Sequence, residues 1–394
     1  MGLFKEVKKP VIKGASAGNG DISPLRPRYV EKTPPCTDRC PHGNDIRGVL
    51  IGMAQHEAYG ITRAQAFEQA WRKITQVHPF PAVLGRLCQH PCEAGCNRKT
   101  KDGAAAVHLL ERFLGDYAIE HGFKFAKPET AQNKKIAIVG AGPAGLSCAY
   151  HLARRGYVVT VFDAAAKPGG MLRHRIPRSV LPIEVLDAEI ANVLGLGIEL
   201  RCNCQVGRDI GVEELRSGFA GVFVAIGLQK AALLIPKREG EGAVTIGEPA
   251  AAIPHSPCDP PVGLDARIAN SISPAVAQGR EVAEAIDAFL NGRAIEAKPA
   301  PPVIKSDRMK LDWYPPVPPH ADVPTQLSEE EVIAEAKRCM SCGMCMDCET
   351  CWMYCSSNCF VKLPKGEHYK IKLELCNGCK KCAEVCPCGF IELN

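Results

Sequence analysis

Cysteine offers the most chemistry in this chain, at 21 of 394 residues. Near the end the thiols fall in runs. Cys376-x2-Cys379-x2-Cys382-x3-Cys386-Pro387 has two-cluster ferredoxin spacing, in which three close cysteines and one distant one hold an iron cube. An earlier run must supply the partner set. Cys339, Cys342, Cys345 and Cys348 all step by three, and only Cys345-x2-Cys348-x2-Cys351-x3-Cys355 closes with the longer gap. The fourth cysteine of each run crosses to the other cluster. The expected ligands are therefore Cys345, Cys348, Cys351 and Cys386 for one [4Fe–4S] cluster, and Cys376, Cys379, Cys382 and Cys355 for the other. Ser356 stands where proline is usual. Cys339, Cys342, Cys359 and Cys388 are left over, as spare thiols or as ligands to something further.

Five more thiols lie near the start, in Cys36-x3-Cys40-Pro41 and Cys88-x3-Cys92-x3-Cys96. Short Pro/Gly loops let thiolates converge on an iron cube, and a zinc ion would take four of them equally well. His42, His78 and His90 are close in sequence and are expected beside the ligands rather than among them. Thr62-x-x-Gln65 reads as a capping box opening a helix, and residues 107–117 as a helix returning over the cysteines.

Between the two cysteine regions lies a phosphate-binding pattern. The apolar run 136–139 reads as a buried strand, followed by Gly140-x-Gly142-x-x-Gly145, a helix over 146–155 and a second strand over 158–162 that ends at Asp163. Gly140 suits the tight turn, Gly142 lets backbone approach a pyrophosphate, and Gly145 lets helix pack on strand. The helix start at Pro143 and Ala144 presents free N–H groups to phosphate, Pro143 itself supplying none. Asp163 is placed to accept from a ribose hydroxyl.

Composition bounds the rest. A net charge of +5 and 46% hydrophobic residues describe an ordinary globular chain with room for several domains. Basic residues are dispersed, which leaves no nucleic-acid footprint. No apolar run is long enough for a membrane span. The first residues, MGLFKEVKKP, lack an apolar signal core, so a cytoplasmic location is expected.

GAGPAGL, a following acid, and Gly169-Gly170-Met171 in KPGGML resemble the FAD half of the glutamate synthase small-subunit family, whose relatives include dihydropyrimidine dehydrogenase and ferredoxin:NADP transhydrogenase. CPHGNDI, PFPAVLGRLC and PCEAGCNR are similar to that family's iron–sulfur head. The resemblance implies FAD in the glycine cradle. It also implies Cys40, Cys88, Cys92 and Glu111 as ligands of one N-terminal [4Fe–4S] cluster, with an all-cysteine set as the rival. The family's first cysteine pair, upstream of Cys36, is absent, leaving Cys36 and Cys96 as remnants of a second cluster. The closing segment with Asp265 (Asp259 as its rival) and the helix start around Ala275 are expected on the flavin. Residues 228–262 are too few, and hold no second glycine motif, for the family's inserted NADPH domain.

These readings make a multidomain α/β chain: an arm and helical Fe–S domain over 1–130, a truncated Rossmann-like FAD domain over 131–297, a Pro-rich linker over 298–327 and a two-cluster ferredoxin domain over 328–394. The expected function is electron transfer within a hetero-oligomeric oxidoreductase, with other redox subunits or a ferredoxin as partners and no catalytic nucleophile of its own. A complete NAD(P)H:acceptor oxidoreductase and a non-enzymatic docking scaffold are the alternatives.

Overall fold

The computed structural model describes residues 23–227, 266–295, 299–319 and 327–394. Asp259, Asp265 and the stretch 228–262 lie outside the described residues.

The chain enters on strand β1 (Pro27–Tyr29) and builds a helical head of α1 (Pro35–Arg39), α2 (Ile46–Ala54), α3 (Arg63–Ile74), α4 (Pro81–Leu87), α5 (Pro91–Ala94) and α6 (Val107–Glu120). Proline opens α1, α4 and α5, where its missing N–H has no helical partner to lose. Helices α1 and α4 stop at Cys40 and Cys88, both in extended backbone, so each thiol leaves its helix toward a loop. Helix α3 opens on the expected capping box: Thr62 Oγ1 accepts from Gln65 N at 3.2 Å, and Gln65 Oε1 accepts from Thr62 N at 2.9 Å.

The middle of the chain is a parallel sheet with helices on it. In order come β2 (Lys135–Val139), α7 (Pro143–Arg154), β3 (Val158–Phe162), α8 (Met171–His174), α9 (Ile183–Leu194), β4 (Glu199–Arg201), α10 (Val212–Gly218) and β5 (Gly221–Val224). The strands lie in the order β4-β3-β2-β5, all parallel, with Ile138 beside Val161 on one side and Phe223 on the other. Apolar runs in β2 and β3 suit strands covered on both faces. Helix α11 (Ala266–Leu290) lies across α7. Phe80, Val83, Leu84 and Leu87 join the sheet's own core, so the head and the nucleotide fold share one apolar interior.

The last part holds α12 (Glu329–Ala336), α13 (Thr350–Tyr354), β6 (Phe360–Lys362), β7 (Tyr369–Ile371), α14 (Lys381–Val385) and β8 (Ile391–Leu393). Strands β6 and β7 pair antiparallel, and β8 pairs antiparallel with β1, joining residues from opposite ends of the chain. Ser328 caps α12 in a box with Glu331. Val332, Ile333 and Ala336 then sit in the head's core with Ile46, Leu50 and Leu110, so α12 packs as a head helix despite its late place in sequence. Residues 299–319 run as a strap along this seam. Val303 bridges Thr33, while Ile304, Met309 and Tyr314 are buried with Ile51 and Met340.

Candidate functional site: a glycine cradle and a line of cysteine pockets

Each glycine of the cradle has its own steric reason. Gly140 has φ +110°, and a Cβ there would sit 2.5 Å from the Ala225 carbonyl oxygen. A Cβ on Gly145 would fall 1.9 Å from Gly140 O, so only glycine lets α7 rest against the strand end. Gly142 differs: a Cβ there meets nothing within 4 Å. That open ground, at the N-cap of α7 with Pro143 at the first turn, fits a pyrophosphate approaching free N–H groups.

Asp163 closes β3 as expected, and its carboxylate accepts from Ala141 N at 2.6 Å and Ala165 N at 2.7 Å. It therefore shapes the glycine turn itself. Gly169 and Gly170, both at positive φ, fold back on this turn, with Gly169 N donating to Ala141 O at 2.8 Å. Met171 starts α8, and Ser271 Oγ lies 3.8 Å from its sulfur. Gly279 of α11 lies against Ala144 O, and Ser147 Oγ donates to Val276 O at 2.7 Å, which puts half-buried Ala275 beside the cradle's helix.

The cysteines surround cavities. One, with about 330 Å³ of atom-free space, is lined by Cys40, Cys88, Cys92 and Glu111, the set implied for the head cluster. His42, His78 and His90 line it too. His78 Nε2 lies 2.9 Å from Glu111 Oε1, and His42 Nε2 lies 2.9 Å from Ser273 Oγ on α11. The histidines thus share the wall with the thiols, His78 tied to Glu111 and His42 to α11. Burial pushes the Cys88 thiol up to about 12 and Cys40 to about 11. Thiolates in such a place need a cationic centre to hold them ionised, and iron supplies one.

A second cavity of about 340 Å³ brings together Cys355, Cys376, Cys379 and Cys382, as the ferredoxin spacing implies, with Cys359 added to its wall. Cys345, Cys348, Cys351 and Cys386 form the companion group: the Cys351 thiol is raised by burial, then by Cys348, Cys345 and Cys386. Cys388 Sγ stands 3.8 Å from Cys386 Sγ. Sharing a hydrogen bond, the two thiols move apart, Cys386 down and Cys388 up.

The third cavity, about 460 Å³, draws from both ends of the chain. Cys36 and Cys96 face Cys339 and Cys342 across it, and Cys92 forms the wall shared with the head-cluster cavity. Sequence reading made Cys36 and Cys96 remnants of a lost second cluster and left Cys339 and Cys342 over, without joining the two pairs. Two spare thiols in each half was the available signal.

Among the described residues, the groupings of three or more possible ligand atoms within 4.8 Å are His90–Glu93–His108 and Cys345–Asp347–His368. Neither is a thiol set drawn tight enough for a mononuclear zinc knuckle, where Zn–S bonds of about 2.3 Å bring sulfurs together. The cysteine cavities suit a larger guest. No helix among the described residues is long and apolar enough to cross a membrane.

Comparison with known proteins agrees with this layout. Residues 29–123 match the dihydropyrimidine dehydrogenase domain II 4Fe-4S cluster family, 138–192 an NAD(P)-binding Rossmann-like domain, and 369–392 a 4Fe-4S binding domain. The chain is 35% identical over 219 residues to the NADPH-Fe(3+) oxidoreductase subunit beta of Geobacter sulfurreducens, covering 55% of this chain and 31% of that one. It is 34% identical over 200 residues to the NAD-dependent dihydropyrimidine dehydrogenase subunit PreT of Escherichia coli, covering 49% and 45%. To the glutamate synthase [NADPH] small chain of Bacillus subtilis it is 33% identical over 212 residues, covering 52% and 43%. The chain spans less than half the length of these curated relatives. A cluster-binding helical head, a Rossmann-like glycine cradle and a 4Fe-4S tail, in that order, make the chain similar to the iron–sulfur relatives of the glutamate synthase small chain.

Proposed function

We propose that this chain is an electron-transfer subunit of a larger oxidoreductase, holding FAD in the glycine cradle and [4Fe–4S] clusters in its cysteine pockets. FAD exchanges one or two electrons and so joins one-electron clusters to two-electron chemistry. The chain's own residues supply position. Gly142 and the start of α7 receive the pyrophosphate, and the Gly169–Gly170 turn, held on the cradle, supports the dinucleotide. Glu111 and Cys40, Cys88 and Cys92 hold the head cluster, while the two interleaved tail sets hold the ferredoxin pair.

One observation carries the reading. Ser273, buried on α11, touches both the head-cluster pocket and the nucleotide fold: His42 meets its hydroxyl, and Cys88 hydrogen-bonds to it. The same helix packs on α7, the helix of the glycine cradle. Cluster and nucleotide sites are thus neighbours through one helix, as direct transfer requires. The partners in this reading are a catalytic subunit and a ferredoxin-type carrier.

The test is anaerobic purification with flavin, iron and sulfide quantitation, followed by mixing with NADPH and, separately, with a reduced ferredoxin. The reading expects bound FAD, rapid flavin bleaching by the ferredoxin and none by NADPH. The names of the relatives, several of them NAD- or NADPH-dependent, favour a second reading in which the chain meets a nicotinamide directly. Rapid bleaching by NADPH alone would establish that reading instead. Protein with neither flavin nor iron would leave only a docking scaffold.

A further inference from the structure

The cavity between the two ends of the chain has walls built for a guest. On the head side, Cys36 belongs to α1 and Cys96 follows α5, two short helices packed on each other. On the tail side, Cys339 and Cys342 follow directly from α12. Their position is fixed by Arg338, only 1% exposed. Its guanidinium donates to Ala104 O at 2.7 Å, Gly103 O at 2.8 Å and Glu335 Oε1 at 2.6 Å. In return Arg98 donates to the Arg338 carbonyl at 2.6 Å. A buried cation with this many partners holds one backbone position closely. The next residue is Cys339.

Four thiols so held converge on one cavity, where a single guest can meet all of them, instead of being dispersed through a core as cysteines packed for their apolar character are. Arg47 lines the same cavity, and its buried Nε has no hydrogen-bond partner among the described residues. An anionic guest with sulfur acceptors would satisfy both features. A cube with four thiolate ligands carries net negative charge and accepts hydrogen bonds at sulfur.

We propose that Cys36, Cys96, Cys339 and Cys342 hold a further [4Fe–4S] cluster, shared between the head and the tail of the chain. It replaces the cluster that the missing upstream cysteine pair would have completed, with the late pair Cys339–Cys342 standing in its place.

The location gives this centre a role. Cys92 walls it from the head-cluster cavity. Tyr314 packs in one cluster with Cys339 and Cys342 of this site and Cys348 of the ferredoxin region. The proposed cluster sits between the ferredoxin pair and the head cluster, taking one electron from one neighbour and passing one to the other, with no net oxidation at the site. The inference rests on the iron–sulfur reading of the other pockets, and the experiment separates the two.

Iron and acid-labile sulfide are measured in anaerobically purified full-length chain, with zinc measured alongside. At four irons per cube, four clusters give about 16 irons per chain and three give about 12. The expected result is about 16, falling to about 12 in the Cys339→Ser/Cys342→Ser chain and equally in the Cys36→Ser/Cys96→Ser chain. Cys202→Ser, on a thiol outside all the pockets, stays at about 16. The electron paramagnetic resonance signal of the ferredoxin pair persists in both double variants. A wild-type count near 12, or about one zinc per chain in place of the missing iron, overturns the proposal while leaving the other clusters standing. Loss of iron from only one of the two pairs also overturns it. Iron near zero removes the iron–sulfur reading altogether. The wild-type count decides even if the variants do not fold.

Discussion

His42 Nε2 and Ser273 Oγ lie 2.9 Å apart, in a contact that joins the head's first cysteine loop to the helix crossing the glycine cradle. Arg280, about two α-helical turns beyond Ser273, donates to His42 O at 2.8 Å and holds the same loop from the same helix. Burial, with His78 and Arg280 nearby, keeps the His42 imidazole well below its usual range, and so neutral. A neutral ring can share one hydrogen bond with a hydroxyl and still pack on His78, whose ring centre is 4.7 Å away.

Ser273→Ala removes the hydroxyl that both His42 and the Cys88 thiol use. Iron content should stay at the wild-type value, because no ligand is lost. The resonance spectrum and the midpoint potential of the head cluster should shift, since hydrogen bonds to its ligands help set both. Potentiometric titration with spectroscopic detection checks this, and identical spectra would show that the contact is only packing.

The cradle glycines should separate folding from binding. Gly145→Ala places a methyl against Gly140 O and should cost about 1–3 kcal/mol, read as a lower melting temperature. Gly142→Ala projects into open space at ordinary φ, so the fold should melt as wild type while bound nucleotide falls severalfold. Unchanged nucleotide content in the second variant would place the phosphates elsewhere.

Glu111 stands in the ligand set of the head-cluster pocket, with its carboxylate on His78. Glu111→Ala should lose about four irons per chain, one cube. Glu111→Gln, which keeps an oxygen donor, should retain them with an altered spectrum. Full iron in the alanine variant would assign the fourth ligand to another cysteine.

Glu189, on α9, accepts from Ala82 N at 2.7 Å and Val83 N at 3.0 Å at the start of α4, and is buried at 5% exposure. Burial outweighs those two hydrogen bonds and raises its carboxyl from 4.5 to about 8. Between those values the folded chain keeps a proton that the unfolded chain has released. Stability therefore falls as pH rises through this window, by up to about 1.4 kcal/mol per pH unit from this group. Glu189→Gln should flatten the fall. Calorimetric melting of both chains from about pH 5 to about pH 8 measures it, and parallel profiles would refute the assignment.

What the sequence made legible was local. The glycine pattern, the capping boxes at Thr62 and Ser328, and the thiol spacings each rest on residues a few positions apart, and the structure has them as expected. Family resemblance put forward the head-cluster set, Glu111 included, a residue no spacing rule would select, and the structure lines one cavity with all four. What stayed hidden was tertiary. Cys339 and Cys342 look like part of the ferredoxin run because they continue its steps of three. Only the packing of Val332 and Ile333 into the head, and the anchoring of Arg338, turn them toward Cys36 and Cys96. The strap over 299–319 was read from its prolines as a connector, and its buried Ile304 and Tyr314 carry no periodicity that would mark them as core.

The pairing of β1 with β8 has a consequence for biogenesis. Arg28 can align with Glu392 only once residue 393 has cleared the ribosome, so the head emerges long before its closing strand. The pocket that draws on both Cys36 and Cys342 closes only after most of the chain has been made. Clipping the last few residues would loosen β1.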